Sequence, residues 1–224
     1  MTKMKKNISW LLALLCCSVH TIAQVQVSQE PFHRPVLVNK YIRLLDVVLQ
    51  PNDTTQFHVH STPSLFIYLS KNNTGSQVNG KDWVNEQSVP GKTWYRSFSP
   101  DILIHRVANL DSVPFHVNDI EILSAYDSTN LYKNKPLPFS IIFENEKAIA
   151  YQITNENIHQ KINKAHGPLI IELVAGDGIF FHDLKTKRSK EIKAGKYLYI
   201  EPDTQFYFTK INSAEINMLL FEIK

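Results

Sequence analysis

FHVHSTPSLFIYL, residues 57–69, places two histidines, His58 and His60, directly before an apolar run. Residues two apart on a β-strand point to the same face and lie roughly 7 Å apart along the strand. Two imidazoles on one face can converge on a metal ion if that face lines the interior of a barrel. Phe57 and Val59 would then point the other way, into packing. The stretch therefore predicts a strand that carries two candidate metal ligands.

The rest of the chain is rich in short runs that alternate apolar and polar residues. Examples are YIRLLDVVL (41–49), DILIHRVANL (101–110), LIIELVAG (169–176) and NMLLFEI (217–223). Turn-forming clusters such as QPND and AGDG separate these runs, and convincing helical periodicity is absent. Many short strands between regular turn signals are typical of an all-β barrel or sandwich.

Residues 1–23 have the composition of an export signal. Three lysines precede the apolar run ISWLLALLCCSV (8–19), and small residues follow at a processing position after Ala23. The apolar run is too short to cross a bilayer comfortably, and no later run is long enough to do so. We therefore expect an exported protein, periplasmic or extracellular, that starts at Gln24 and has no membrane span.

Removal of this segment changes the composition of the chain. The whole chain has 24 Lys+Arg and 21 Asp+Glu, and three of the lysines lie in residues 1–23, which contain no acidic residue. The mature chain is therefore neutral, and nothing favours nucleic-acid binding. Both cysteines, Cys16 and Cys17, are removed as well, so we expect neither a disulfide nor a thiol nucleophile.

The mature chain contains an internal repeat with a spacing of about one hundred residues. Residues 47–70 align without a gap with residues 151–174, so that the turn QPND falls on TNEN and LFIYL falls on LIIEL. The alternative, that any two β-rich halves align to some extent, stays open. We predict two tandem β-barrels, residues 24–130 and 131–224, joined near residues 126–138.

The same alignment predicts that only the first barrel carries ligands. His58 falls on Ile162 and His60 falls on Lys164 in the second copy. We therefore expect the second barrel to bind no metal and to pack against the first.

His105 is the third candidate ligand. It lies in DILIHRVANL (101–110), where Leu103 and His105 share one face of the predicted strand and Ile104 takes the other. A neighbouring strand could thus add one imidazole to the two that His58 and His60 provide.

These residues resemble the two sequence motifs of the cupins. The first cupin motif has a small turn residue, five further positions and then His-x-His. The second has a proline, a histidine five residues later and an asparagine four residues after that. The matching residues here are Asn52, His58, His60, Pro100, His105 and Asn109.

The resemblance implies two tandem cupin-type barrels (double-stranded β-helix or jelly-roll), a bicupin. It also implies one divalent transition metal in the first barrel, held by His58, His60 and His105. Neutral nitrogen ligands suit iron(II), zinc, copper or nickel better than magnesium or calcium. Three protein ligands leave open positions for a small-molecule substrate. Cupins include dioxygenases, isomerases, lyases, epimerases and non-enzymatic binders, so the reaction and the catalytic residues stay open.

The chain departs from the family at the fourth ligand position. The family's glutamate would fall near Ser64, where the sequence offers no carboxylate, and Gln56 is a candidate to approach the open position. His116 is a candidate neighbour of the site, although we expect it and His33 at the surface. Arg96 is a candidate partner for a substrate carboxylate. The segment NTGSQVNGKDWVNEQ (73–87) is expected to be a loop that shapes the pocket.

Two functions agree with these patterns. The first is a secreted metal-binding cupin that acts on a small molecule through oxygenase-type or other metal-centred chemistry. The alternative is a non-enzymatic cupin that binds a small molecule or carbohydrate and keeps a vestigial site. A homodimer is possible, because such barrels often pair through edge strands, but no residue specifies it.

Overall fold

The structure, a computed structural model, describes residues 24–126 and 136–224. The predicted export signal and most of the predicted joint between the barrels lie outside these residues, as does the predicted boundary at 130/131. The described residues form eighteen β-strands and one short 3-10 helix, Val27–Gln29, which confirms the all-β class. In this part of the chain no helix has the length and hydropathy needed to cross a membrane.

Residues 24–126 form two five-stranded sheets that face each other across a cavity. One sheet has the strand order β1-β4-β9-β6-β7 and the other has the order β2-β3-β10-β5-β8. The strands are β1 (Val25–Gln26), β2 (His33–Val38), β3 (Ile42–Leu49), β4 (His58–His60), β5 (Ser64–Tyr68), β6 (Asn72–Val78), β7 (Trp83–Ser88), β8 (Thr93–Arg96), β9 (Leu103–Asn109) and β10 (Phe115–Ile122).

Residues 136–224 repeat this topology. The strands are β11 (Ser140–Glu144), β12 (Ala148–Ile153), β13 (Leu169–Ala175), β14 (Ile179–Asp183), β15 (Ser189–Ile192), β16 (Lys196–Ile200), β17 (Phe206–Lys210) and β18 (Asn217–Ile223). The order β11-β12-β18-β13-β16 reproduces β2-β3-β10-β5-β8 strand for strand, and β17-β14-β15 reproduces β9-β6-β7. The repeat seen in the sequence is therefore a repeat of topology.

The hairpin β6–β7 occupies the segment 73–87, where the sequence indicated a loop. The two strands pair from Asn72 opposite Ser88 to Gln77 opposite Trp83, and the turn between them contains Gly80 at φ +74°. Thr74, Ser76 and Val78 of β6 line the cavity of the first barrel. A strand whose inner face lines a cavity does not need alternating large apolar residues, so its sequence lacks the usual strand pattern.

The interior of the second barrel is filled with apolar side chains. Tyr151, Phe206 and Phe208 are fully buried there, and Ile162, the counterpart of His58, belongs to the same cluster. Full burial of one such side chain contributes about 1.5–3 kcal/mol to stability. This barrel therefore has a structural core where the first barrel has a cavity.

The two large sheets pack on each other through their outer faces. The first barrel contributes side chains of β3, β5 and β10 to one buried cluster, and the second contributes side chains of β12, β13 and β18; members include Ile42, Leu44, Leu65, Ile67, Ile120, Ala148, Ala150, Ile170 and Phe221. Strands buried on both faces have near-continuous apolar sequences, and six consecutive residues of β13 are buried. The two barrels thus share one apolar interface.

Glu172 interrupts this apolar interface. Its Oε1 accepts a hydrogen bond of 2.8 Å from Nδ2 of Asn118 in the first barrel. Its Oε2 has no hydrogen-bond partner among the described residues. Burial raises the pKa of Glu172 to about 8, and the charge of Asp46 adds to this, while the bond from Asn118 opposes it. The carboxyl group is therefore mostly protonated at neutral pH.

Replacing Glu172 by glutamine should remove a loss of stability that the wild-type protein suffers as the pH rises. The unfolded chain ionises this group near pH 4.3, roughly its ordinary value, whereas the folded chain ionises it at about pH 8. Between these values the folded state holds more protons, so the free energy of unfolding falls as the pH rises. Glu172→Gln should come close to the wild type at pH about 5 and exceed its Tm by roughly 10 °C near pH 8.5.

Thermal unfolding followed by circular dichroism at the two pH values measures this difference. Glu191→Gln is the control, because Glu191 is an exposed glutamate of the same barrel. Its Tm should follow that of the wild type at both pH values. A Glu172→Gln variant with the same pH response as the wild type would show that the buried carboxyl is not linked to folding.

Candidate metal centre

The three predicted ligands lie together inside the first barrel. β4 and β9 are antiparallel neighbours, and their register places His58 opposite His105 and His60 opposite Leu103. Nε2 of His60 lies 3.2 Å from Nε2 of His58 and 3.0 Å from Nε2 of His105. His-x-His on one strand and a single histidine on the next thus place Nε2 of His60 close to the Nε2 atoms of both other rings.

His33 of β2 is a fourth histidine at this point. Its ring centroid lies 4.5 Å from that of His58, and His33, His58 and His60 each offer a ring nitrogen within 4.8 Å of the other two. These three residues could hold a metal ion. His33 is only 6% exposed, so the expectation that it lies at the surface is wrong. It occurs in the segment PFHRP (31–35), where no periodic pattern marks it as a ligand.

The Nδ1 atom of each ring faces an oxygen outside the cluster. The four pairs are His33 with Glu30 Oε2 (2.6 Å), His58 with the Gln56 carbonyl oxygen (2.9 Å), His105 with Ser76 Oγ (3.3 Å) and His60 with Asp119 Oδ2 (3.5 Å). A carbonyl oxygen only accepts, so Nδ1 of His58 carries the proton and its Nε2 lone pair faces the cluster. Hydrogen-bond partners such as those of His33, His58 and His105 fix the ring orientation of histidines that bind metals, whereas the 3.5 Å contact of His60 with Asp119 is not a hydrogen bond.

Burial keeps the rings of the predicted ligands neutral. It lowers the pKa of His58 to about 4 and that of His105 to about 3, and the charges of the other histidines act in the same direction. The pKa of His60 is also lowered, by burial and then by His105 and His58. Neutral imidazole is the form that binds a metal ion.

The spacing of the ring nitrogens fits a shared ion. Two ring nitrogens this close need a proton or a cation between them, because bare lone pairs repel each other. Two nitrogens bound at about 2.1 Å to one ion are about 3.0 Å apart at a right angle and about 3.4 Å apart at the tetrahedral angle. The observed separations of 3.0 and 3.2 Å fall in this range.

Asp119 is a buried carboxyl group beside the cluster. It is 1% exposed, and neither of its oxygens has a hydrogen-bond partner within the described ranges. Burial raises the pKa of Asp119 well above its usual range, and the charge of Glu121 adds to this. Its position on β10, facing Nδ1 of His60, makes it a further neighbour of the cluster that the sequence did not indicate.

The cluster opens into a cavity of about 420 Å³. This volume lies in the range of about 300–1,000 Å³ that small-molecule sites have. Much of the wall is aromatic, from Phe66, Tyr68, Trp94, Phe98 and Phe115. The rings of Phe66 and Trp94 are stacked, with centroids 5.1 Å apart, and the ring of His60 is stacked on that of Phe98.

Two exposed cations, Lys92 and Arg96, also line this cavity. Lys92 forms an ion pair with Glu86. The Arg96 guanidinium lies 5.0 Å from the centroid of the Phe98 ring and forms no hydrogen bond or ion pair with any residue of 24–126 and 136–224. Within the described residues, the donors of Arg96 are therefore free beside an aromatic wall.

Three other residues that the sequence suggested for the site do not add a side chain to the histidine cluster. The side chain of Gln56 is exposed, and the residue acts on the cluster through its carbonyl. Ser64 is buried and donates to the Thr62 carbonyl at 3.0 Å. His116 bonds to Asp46 of β3 at 2.7 Å.

The two asparagines of the cupin-like motifs have structural roles. Asn52 adopts φ +70°, a left-handed conformation that asparagine tolerates better than most residues and that glycine adopts freely. Asn109 is buried; its Nδ2 donates to the Leu49 and Val113 carbonyls, and its Oδ1 accepts from the Asp111 amide. Asn109 thus holds the turn after β9 against the end of β3.

Comparisons with known proteins support the fold. A scan against models of protein families and a search of curated proteins each give no match to this sequence. Among solved structures, AerE from Microcystis aeruginosa matches with a TM-score of 0.56 and 13% identity, over 87% of this chain and 98% of that chain. The cupin 2 conserved barrel domain protein from Leptotrichia buccalis matches with a TM-score of 0.53 and 10% identity, over 84% of this chain and 86% of that chain.

A third similar structure is the salicylate 1,2-dioxygenase from Pseudoaminobacter salicylatoxidans in its adducts with gentisate. The TM-score is 0.58 at 10% identity, over 82% of this chain and 68% of that chain. At such identities the likeness shows the fold alone. The chain therefore has the cupin fold, with two tandem barrels, and the resemblance seen in the motifs is confirmed at that level.

Replacing Asn109 by alanine should destabilise the protein without removing a candidate ligand. The variant removes the side-chain partner of the Leu49 carbonyl and of the Asp111 amide, whereas the Val113 carbonyl still accepts from Nδ2 of Asn72, and each unsatisfied buried group costs about 1–3 kcal/mol. We expect a total loss of about 3 kcal/mol, measured by urea denaturation.

Asn212→Ala is the matched control for this variant. Asn212 also accepts from the amide two residues ahead, that of Ala214, but it is exposed. Its replacement should cost less than about 1 kcal/mol, because water can take over the bond. Equal losses in the two variants would contradict the role given to burial at Asn109.

Proposed function

We propose that this chain is an exported cupin in which His58, His60 and His105 hold one divalent transition metal beside a small-molecule pocket. The observation that carries the proposal is the convergence of their Nε2 atoms, with separations of 3.0 and 3.2 Å. The bond from Nδ1 of His58 to the Gln56 carbonyl supports it, because it directs the lone pair of this ring inward. Iron, zinc, copper and nickel all suit such nitrogen ligands.

The ion would supply Lewis acidity or redox chemistry at its open positions. The residues of the chain would form the pocket and hold the ligands in position. Phe66, Trp94 and Phe98 form an apolar wall of the pocket, and Gln56 and Ser76 hold the rings of His58 and His105 in place. This combination of a metal and an apolar pocket favours oxygenase-type or other metal-centred chemistry on a small molecule.

Arg96 would bind an anionic group of the substrate. Its guanidinium has no ion-pair partner in the part of the chain that the structure describes and adjoins the aromatic wall, a combination suited to an aromatic carboxylate. The fold supports the choice of probe, since the similar salicylate 1,2-dioxygenase is described in adducts with gentisate. Gentisate and salicylate are therefore the first compounds to test.

Non-enzymatic binding of a small molecule or carbohydrate is the second candidate. Ser64 favours it, because this buried hydroxyl stands where the family has a carboxylate ligand. In this case the histidines would be vestigial and the aromatic cavity would bind its ligand without a metal. Metal content and oxygen consumption separate the two candidates.

Untagged protein purified after export should contain about one equivalent of a transition metal, measured by inductively coupled plasma mass spectrometry. The His58→Ala/His60→Ala double variant should lose this metal, because two of its ligands are gone. His159→Ala/His182→Ala removes two histidines of the second barrel and should retain it. Metal-free wild-type protein that also takes up no added Zn(II), Fe(II), Cu(II) or Ni(II) would favour the second candidate, non-enzymatic binding.

Arg96→Ala should bind gentisate about tenfold more weakly than the wild type, since a hydrogen bond to a charged group contributes about 1.5–3 kcal/mol. Its metal content should not change. Isothermal titration of the metal-loaded proteins measures the affinity, and Arg188→Ala, which removes an exposed arginine of the second barrel, is the control. Equal affinities of Arg96→Ala and the wild type would exclude Arg96 as the anion-binding group. In a separate measurement, oxygen uptake by the metal-loaded wild type with gentisate would identify an oxygenase.

A further inference from the structure

We propose that His33 is a fourth ligand of the same ion and that Glu30 orients it, so that the centre has four histidines and its carboxylate acts through one of the rings. This inference rests on the proposed function, because it assigns one more ligand to the proposed metal. The three motif histidines come from β4 and β9, whereas His33 comes from β2 of the opposite sheet.

Glu30 is fixed by hydrogen bonds that use both of its oxygens. Oε2 accepts from Nδ1 of His33 at 2.6 Å and from the Phe32 amide at 2.9 Å, and Oε1 accepts from the Gln56 amide at 3.1 Å. The residue is 2% exposed. The carboxylate is thus held in place by three donors, and one of them belongs to the residue whose carbonyl holds His58.

These contacts leave the other ring nitrogen of His33 as its metal-binding atom. Nδ1 is engaged by Glu30, and Nε2 has no hydrogen-bond partner among residues 24–126 and 136–224. A ring nitrogen of His33 lies within 4.8 Å of one in both His58 and His60. Nε2 is therefore the atom through which His33 would bind an ion held by His58 and His60.

The pairing of His33 with Glu30 also accounts for the missing carboxylate at Ser64. Three or four neutral imidazoles leave the charge of a divalent ion uncompensated in a buried site. A carboxylate that accepts from the distal nitrogen of a ligating histidine supplies negative charge and makes that ring a stronger donor. Glu30 thus contributes through His33 the charge that a direct carboxylate ligand at residue 64 would contribute.

Pulsed EPR of the Cu(II)-loaded protein tests this inference, because the nitrogen modulation counts the imidazoles on the metal. We expect four in the wild type and three in His33→Leu. His33→Leu should also bind Zn(II) at least about tenfold more weakly in a competition titration with a chelating dye. Glu30→Gln should keep four imidazoles but bind Zn(II) about tenfold more weakly, as expected when the partner of a ligating histidine is altered.

His116→Leu is the matched control, since His116 is also bonded to a carboxylate, that of Asp46, but is not part of the cluster. It should equal the wild type in imidazole count and Zn(II) affinity. Thermal unfolding of each variant shows whether it is folded. The imidazole count of the wild type tests the inference without any variant.

Three imidazoles in the wild type, or a His33→Leu variant with unchanged count and affinity, would overturn the inference and leave the proposed function intact. A wild type that binds neither Cu(II) nor Zn(II) would remove the proposed function itself. The two failures are therefore distinguishable.

Discussion

The antiparallel register of β4 with β9 is the constraint on which the candidate site depends. It places His58 opposite His105, and the two-residue repeat of the strand adds His60 to the same face. A shift of one residue would turn these side chains to the other face of the sheet. The site is therefore a property of strand pairing over 45 residues of separation, and the whole barrel serves to hold this register.

The second barrel supports the first from outside. Its large sheet covers the outer face of β3, β5 and β10 with apolar side chains, and its own interior is filled. The first barrel can then keep an interior cavity, because β3, β5 and β10, which form one wall of the cavity, are buried on their other face. Two copies of one topology have thus taken different roles: one provides a pocket and the other provides apolar area.

The sequence is sufficient to predict the fold and to identify three of the four clustered histidines. His-x-His is a local pattern, and the spacing of Pro100, His105 and Asn109 is local as well, so both can be found without knowing which strands pair. The all-β class follows from alternation that most strands keep because one face is apolar. The repeat was visible because both copies keep the same turn positions.

The remaining parts of the site depend on contacts that local patterns do not encode. His33 and Glu30 join the cluster only through the pairing of β2 with β3 and of β1 with β4. The hairpin β6–β7 lacks the alternation of a strand because its inner face lines a cavity instead of a core, so its sequence predicts a loop. Glu172 lies in an apolar run, and nothing in that run shows that Asn118 of the other barrel meets it.

The parallel pairing of β1 with β4 has a practical consequence for handling the protein. Val25 lies opposite His58 and Gln26 lies opposite Val59, and four residues further on the chain reaches Glu30. Any affinity tag or fusion partner joined next to residue 24 would be anchored one strand away from the ring of His58. A tag attached after β18 would instead lie on the second barrel, which lacks the cluster. This position suits a polyhistidine tag in particular.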